Sequence, residues 1–411
     1  MATPGLAQMS FPTSSTQFLV CNQGDGRFYG RLPDHLASSA VTVDVEASRR
    51  VGFASHSCKV TLSWQGGSML VGDDLDQADI DVMGADLGLG EPVVAFQIKP
   101  KGTDPSIRYE IYSLAAPPRL LRTIVGEAYF SAADTGLDGT VEIWTTDMAA
   151  IRGFDDLPRS AFNEPPATIL RFEAGRLMDV SSEYRPYFDR QIQELRAAIT
   201  PADLQAFLAT DGRLAASPPD PALLATKVRV LEMAWAYLNS GRPQQAWTTL
   251  SQMWPSADAG RVRAAMVAAR KRGLESQVDG VSDRAEPPGK GGSTYIFSGT
   301  NSPGLDRPDW QRKRLTDTAP EQILLRLPSP KDPAHWNDQH TVEVLVDEAG
   351  KVRTARMIDG KMHSVFAVSS STRADADREW LQVAGGWKYI PAFKDGKPRA
   401  YRDRLRVSRD R

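Results

Sequence analysis

No apolar run in this sequence reaches the ~18–20 residues that a membrane-spanning helix requires. No charge sign dominates either. The formal net charge of −2 excludes a globally basic nucleic-acid binder and leaves only local patches to consider. Gly-x-Ser-x-Gly and Gly-x4-Gly-Lys-Ser/Thr signatures are missing, so neither a serine-nucleophile elbow nor a phosphate-cradling loop is legible. Paired acids for glycoside hydrolysis would leave no such trace, because they meet in space rather than in sequence. Cysteine is reduced to two residues, Cys21 and Cys58. In an oxidising compartment they can close a disulfide worth ~3–4 kcal/mol by loop entropy; otherwise they stay buried as thiols.

What is present is ordinary globular material. Hydrophobic residues make up 41% and charged residues 24%, a balance that folds rather than stays disordered. A length of 411 residues exceeds one core, and about two to four domains are expected. At the start, Ala2-Thr3-Pro4-Gly5-Leu6-Ala7-Gln8 reads like the small-residue tail of a secretory signal peptide cut after Ala7, which predicts export.

Residues 17–183 carry strand signals. Val41, Val43 and Val45 alternate with polar residues, as does Lys59 to Trp64, the period-2 pattern of a half-buried strand. Inside this region Ala85 to Phe96 aligns without gaps on Ala133 to Trp144, an offset of 48 residues. Each copy is an acidic turn feeding an apolar strand. Over residues 60–182 this resembles the FG-GAP/VCBS-type repeats of β-propellers. Too few units are present to close a ring of ~4–8 blades, so an open propeller-like meander or a sandwich is expected.

Residues 184–273 turn helical. Phe188, Ile192, Leu195 and Ile199 share one stripe, Thr200-Pro201 and Asp220-Pro221 read as helix starts, and Gly241 reads as a stop. A helical bundle is predicted. Residues 274–318, with Pro287-Pro288-Gly289-Lys290-Gly291-Gly292, read as a linker holding one short strand.

From residue 319 the pattern is α+β. Val342, Val344 and Val346 mark one face of a strand, Asp347-Glu348-Ala349-Gly350 turns it, and Lys351 to Met357 returns. A helical segment, then Trp387-Lys388-Tyr389-Ile390-Pro391-Ala392, an Asp395-Gly396-Lys397-Pro398 turn and a final strand follow. In that strand Tyr401, Leu405 and Val407 alternate with Arg402, Arg404 and Arg406. This order over residues 321–408 resembles the TonB C-terminal domain. The resemblance implies a periplasmic module that recognises outer-membrane partners by adding their peptide as a strand. Carried onto this chain, the recognition edge would be Tyr401, Arg402, Arg404, Arg406 and Val407. From Lys388 to Arg411 nine basic residues stand against three acidic ones, a balance that attracts acidic partners or protects a sheet edge from aggregation.

Three acidic or histidine clusters remain. Asp134, Asp138 and Glu142 half-match a calcium loop, with Gly136 at the middle ligand position; a plain Asp-Gly turn needs no ion. The run Asp73, Asp74, Asp76, Asp79 and Asp81 reads as a solvated loop. His335, Asp338 and His340 fit no named zinc spacing and read as a surface loop.

These readings predict a multidomain α+β chain: a signal-derived start at 1–16, a β-rich repeat domain at 17–183, helices at 184–273, a linker at 274–318 and a TonB-like domain at 319–411. The expected function is non-catalytic binding in the cell envelope, periplasmic or secreted, with an outer-membrane protein or peptide as partner and no nucleic acid. The alternative is an exported carbohydrate-active hydrolase with an acidic site in the β domain. Calcium is the only cofactor the residues suggest.

Overall fold

The computed structural model describes residues 26–31, 41–49, 56–214, 220–282, 321–324, 340–357, 380–381, 383–394 and 397–407. The signal-like start, Cys21, the Pro287–Gly292 linker, His335 and Asp338 lie outside them. The architecture is mixed α+β, with antiparallel sheets, five α-helices and no closed barrel among the described residues.

The first half is a succession of antiparallel meanders. The first sheet runs β1 (Gly26–Arg31), β2 (Thr42–Arg49), β3 (His56–Trp64) and β4 (Gly67–Leu75) in sequence order. The second repeats that order with β5 (Gln77–Ala85), β6 (Val93–Lys99), β7 (Ile107–Ser113) and β8 (Leu120–Gly126). The third contains β9 (Ser131–Ala133), β10 (Glu142–Thr146), β11 (Ala167–Glu173) and β12 (Arg176–Asp179). Cys58 is disulfide-bonded.

Residue alternation explains how these sheets stack. Val43, Val45, Val60 and Leu62 pack against Ile80, Phe96 and Ile98 of the second sheet. The other face of this sheet meets Ile143, Leu170 and Phe172 of the third sheet through Ala95, next to Phe96, through Val82, which a β-bulge after Ile80 turns over, and through Ile111 of β7. Successive side chains leave a strand on opposite faces, so a middle sheet covered on both sides reads as continuous burial. Every residue of β5 is buried. Gly88 lets the β5–β6 turn lie against the third sheet: its φ is +90°, and a Cβ there would come within 2.4 Å of the Phe172 carbonyl oxygen.

The outer face of the third sheet receives helices. Trp144, Ile169 and Val180 pack on Phe188 and Ile192 of α1 (Arg185–Ala197) and Ala236 of α3 (Pro221–Asn239). Between them in sequence comes α2 (Pro201–Leu208), which packs on α3, and α4 (Pro243–Met253) and α5 (Ala259–Arg270) complete the cluster. The expected starts are where the caps sit. Thr200 accepts from the Asp203 N–H and Asp220 from the Ala222 N–H, satisfying amides that a helix leaves orphaned.

The segment after Gly273 differs from the expected linker. Leu274 is buried in the core between the second and third sheets. The Gln277 side chain donates to the Val125 carbonyl at 2.7 Å and accepts from the Val125 N–H at 2.8 Å, pairing with the edge strand β8 as a backbone would. β13 (Gly280–Val281) then adds parallel to β12. Residues 274–282 strap two sheet edges that would otherwise be open.

In the C-terminal region β14 (Glu321–Leu324), β15 (His340–Val346) and β16 (Val352–Met357) are followed by β17 (Lys388–Ile390). β18 (Ala392–Lys394), β19 (Lys397–Arg399) and β20 (Tyr401–Val407) close the chain. The main sheet has the order β16-β15-β20, while β14 pairs β17 and β18 pairs β19. Val342, Val344, Val346 and Leu405 line one core with Trp380, Trp387 and Tyr389. Ile390 and Phe393 instead join the core of the first two sheets.

Candidate functional site

β20 pairs with β15 on one side only, and no described strand pairs its other side. Register places Val344 opposite Asp403 and Glu343 opposite both Arg404 and Arg356. Cross-strand partners point to the same face, so Tyr401, Asp403 and Leu405 face the core side while Arg402 and Arg404 face away from it. Tyr401 is half-buried. The side chains of Arg406 and Val407 lie outside the described set; their backbones pair with Thr341 and His340.

On the face away from the core, three guanidiniums converge on one carboxylate. Glu343 accepts from Arg356 Nε at 2.7 Å, from Arg404 Nε at 2.7 Å and from Arg402 Nη1 at 3.3 Å. Its side chain is 1% exposed, whereas that of Arg404 is 55% exposed. Burial alone would raise the Glu343 carboxyl, but the arginines hold it below its ordinary range. The sheet thus presents arginine heads over a buried counter-charge, a surface suited to anionic groups.

The acidic turns of the repeat are also visible. Asp86 follows the first strand of the second sheet, and its Oδ1 accepts from the N–H groups of Gly88, Leu89 and Gly90. Asp134 follows the first strand of the third sheet and accepts from Asp138 N–H at 3.1 Å and Gly139 N–H at 2.9 Å. The three residues expected as calcium ligands are therefore differently employed. Asp134 is buried within its own turn, and Glu142 is buried and accepts from Thr135 N and Oγ1 at 3.2 and 2.5 Å. Asp138 is exposed and accepts from Thr140 N–H at 2.9 Å. Among the described residues no group of three or more His, Cys, Asp or Glu side chains is arranged to hold a metal. Burial is the main cause that pushes the Glu142 carboxyl up to about 7, with Asp134 adding repulsion.

A third turn of the same kind comes from the C-terminal region. Asp347, after β15, accepts from Ala349 N–H and Lys351 N–H at 2.9 and 2.8 Å, and its Oδ2 accepts from Asp134 N–H at 3.0 Å. Burial pushes its carboxyl up to about 7. Next to it burial first, then the neighbouring Asp134 carboxyl, pushes the Glu348 carboxyl up to about 9. Gly350 is obligatory in this turn: φ is +78°, and a Cβ would lie 1.8 Å from the Tyr389 carbonyl oxygen.

Beside this turn two lysines of the C-terminal region enter the second sheet. Lys351 Nζ pairs with Asp81 Oδ1 and donates to the Asp81 carbonyl at 2.8 Å. Lys388 Nζ donates to the Ile80 carbonyl at 2.8 Å. Asp81 Oδ2 accepts from Tyr109 OH at 2.6 Å and Ala132 N–H at 2.8 Å. Burial would raise Asp81, yet Lys351 and Lys388 hold it below the usual carboxylate range. Burial and the neighbouring Lys351 charge bring Lys388 down to about 8.

The acidic run around Asp81 is thus not a solvated loop. Asp73 and Asp74 are exposed, but Asp79 and Asp81 are 1% exposed. Sequence reasoning missed Asp81, Asp347, Glu348, Lys351 and Lys388 as one constellation. The available signal was the acid-to-glycine turn at Asp347–Gly350, which matches the two acidic turns of the repeat. No family model matches this chain, and no curated protein or solved structure matches it.

Proposed function

We propose that this chain is a non-catalytic binding protein of the cell envelope, periplasmic or secreted, which takes an extended segment of a protein partner as an added strand on β20. The observation that carries this reading is the position of β20 at the edge of the β16-β15-β20 sheet. An edge strand presents unpaired N–H and C=O groups that template another strand. The TonB-like order of residues 321–408 supports the same edge. The disulfide at Cys58 supports an oxidising compartment. The three sequential meanders, stacked face to face, support reading the first half as an open array of propeller-blade-like units that carries the C-terminal module.

The alternative, an exported hydrolase using acids of the β sheets, has less support. Asp134 and Glu142 are 0% and 2% exposed, and their oxygens serve the turn itself.

A photo-reactive residue placed at Arg404, with a control at Leu120 of β8, which is also exposed, tests the proposal in the full chain. The full chain is needed because Ile390 and Phe393 belong to the core of the first two sheets. In a native envelope fraction, position 404 should cross-link one extended segment of a discrete partner and position 120 should not. Equal capture at both positions, or capture at neither, would count against the proposal.

A further inference from the structure

We infer that the segment β20 accepts carries acidic side chains at alternate positions, two residues apart, facing Arg402 and Arg404. This rests on the strand-addition reading above and adds the chemistry of the partner to it. The positions follow from register. Arg402 and Arg404 are separated by two residues, and Glu343 lies opposite Arg404, so both arginines rise from the same face of β20. A strand added to the outer edge would put the side chains opposite these two residues on that same face, at cross-strand contact distance.

The charge follows from the contacts already present. Arg356, Arg402 and Arg404 each pair with the carboxylate of Glu343 and put positive charge on this face. Arg404 is the most exposed of the three, at 55% of its side chain, against 38% for Arg356 and 21% for Arg402. A guanidinium offers five N–H donors in a planar fork. The Nε of Arg404 is the atom that holds Glu343, which leaves its terminal nitrogens on the solvent side for a carboxylate. On the opposite face Tyr401, Asp403 and Leu405 face the module's own core side, so side chains of the incoming strand opposite them meet Asp403 at the centre. Asp403 disfavours acids there. An acid–neutral–acid pattern is therefore selected over a uniformly acidic one.

The test is fluorescence anisotropy on the full chain with three seven-residue peptides of one Val/Thr framework. The alternate positions carry Glu, Ser or Lys. The Glu peptide should bind about tenfold more tightly than the Ser peptide, from two cross-strand ion pairs, and more tightly still than the Lys peptide. The preference should shrink in high salt. Arg404→Gln, which removes the charge while Arg356 and Arg402 still hold Glu343, should cut the Glu-over-Ser preference to about threefold while leaving the circular dichroism spectrum unchanged. Equal binding of the Glu and Ser peptides, or an undiminished preference in Arg404→Gln, overturns the inference and leaves strand addition standing. Binding of none of the three overturns both.

Discussion

Replacing Lys351 by Met isolates what the buried seam contributes. Asp81 is fully buried, with a side-chain exposure of 0%, and Lys351 retains 11%. Truncating one partner of a buried ion pair leaves the other charge uncompensated, at a cost of about 3–5 kcal/mol. Here Asp81 would keep the Tyr109 hydroxyl, the Ala132 N–H and the charge of Lys388. The loss should therefore fall at the lower end, about 3 kcal/mol, or a Tm lower by roughly 6 °C for a large cooperative unit. Met matches the lysine stem in length, so packing changes little. A double-mutant cycle separates charge from packing: Asp81→Asn combined with Lys351→Met should cost less than the sum of the single changes. Urea unfolding followed by tryptophan fluorescence and circular dichroism reads all four proteins. A loss below about 1 kcal/mol for Lys351→Met, or strict additivity in the cycle, would refute the reasoning.

Three further outcomes can be checked by unfolding. Asp347 and Glu142 are held near 7, above their values of about 4 in an unfolded chain. Between those limits the folded chain keeps protons that the unfolded chain has lost. Stability should therefore decline as pH rises from about 5 to 7, by up to about 1.4 kcal/mol per pH unit per group. Asp347→Asn should flatten the decline, and a Tm that climbs over this window would contradict the assignment. Gly350→Ala should cost at least about 2 kcal/mol, because a left-handed φ combines with a clash on the Tyr389 carbonyl. Gly90→Ala, with φ +81° and open space around it, should cost only about 1 kcal/mol; equal costs would show that the close approach at Gly350 is not what demands glycine. Millimolar calcium should move the Tm by less than ~1 °C, since the oxygens of Asp134 and Glu142 already accept from their own turn. A shift of several degrees would restore a metal to that loop.

Local patterns were the legible part of this chain. The Val342–Val346 alternation and its match in Tyr401 and Leu405 could be read because the strand period is two, and those residues do line one face. The helix starts at Thr200 and Asp220 could be read because a cap and its amide lie within three residues. The acidic repeat could be read too, and Asp86 and Asp134 close equivalent turns. Long-range compensation was not legible. Asp81 belongs to an acidic run that looks solvated until Lys351, 270 residues away, supplies its counter-charge. Gln277 looks like a linker residue because its partner Val125 is 152 residues distant. The proposed recognition edge was half legible. Its residues were singled out in sequence, but Arg402 and Arg404 turned out to share Glu343, which only the β15–β20 register reveals.

The most direct test of strand addition is amide hydrogen exchange along β20 in the full chain, free and saturated with the Glu-bearing peptide. Alternate amides between Tyr401 and Val407, those directed away from β15, should exchange at least about tenfold more slowly in the complex. Those of β15, already paired on both sides, should change little. Protection that appears elsewhere while β20 exchanges as before would contradict the account.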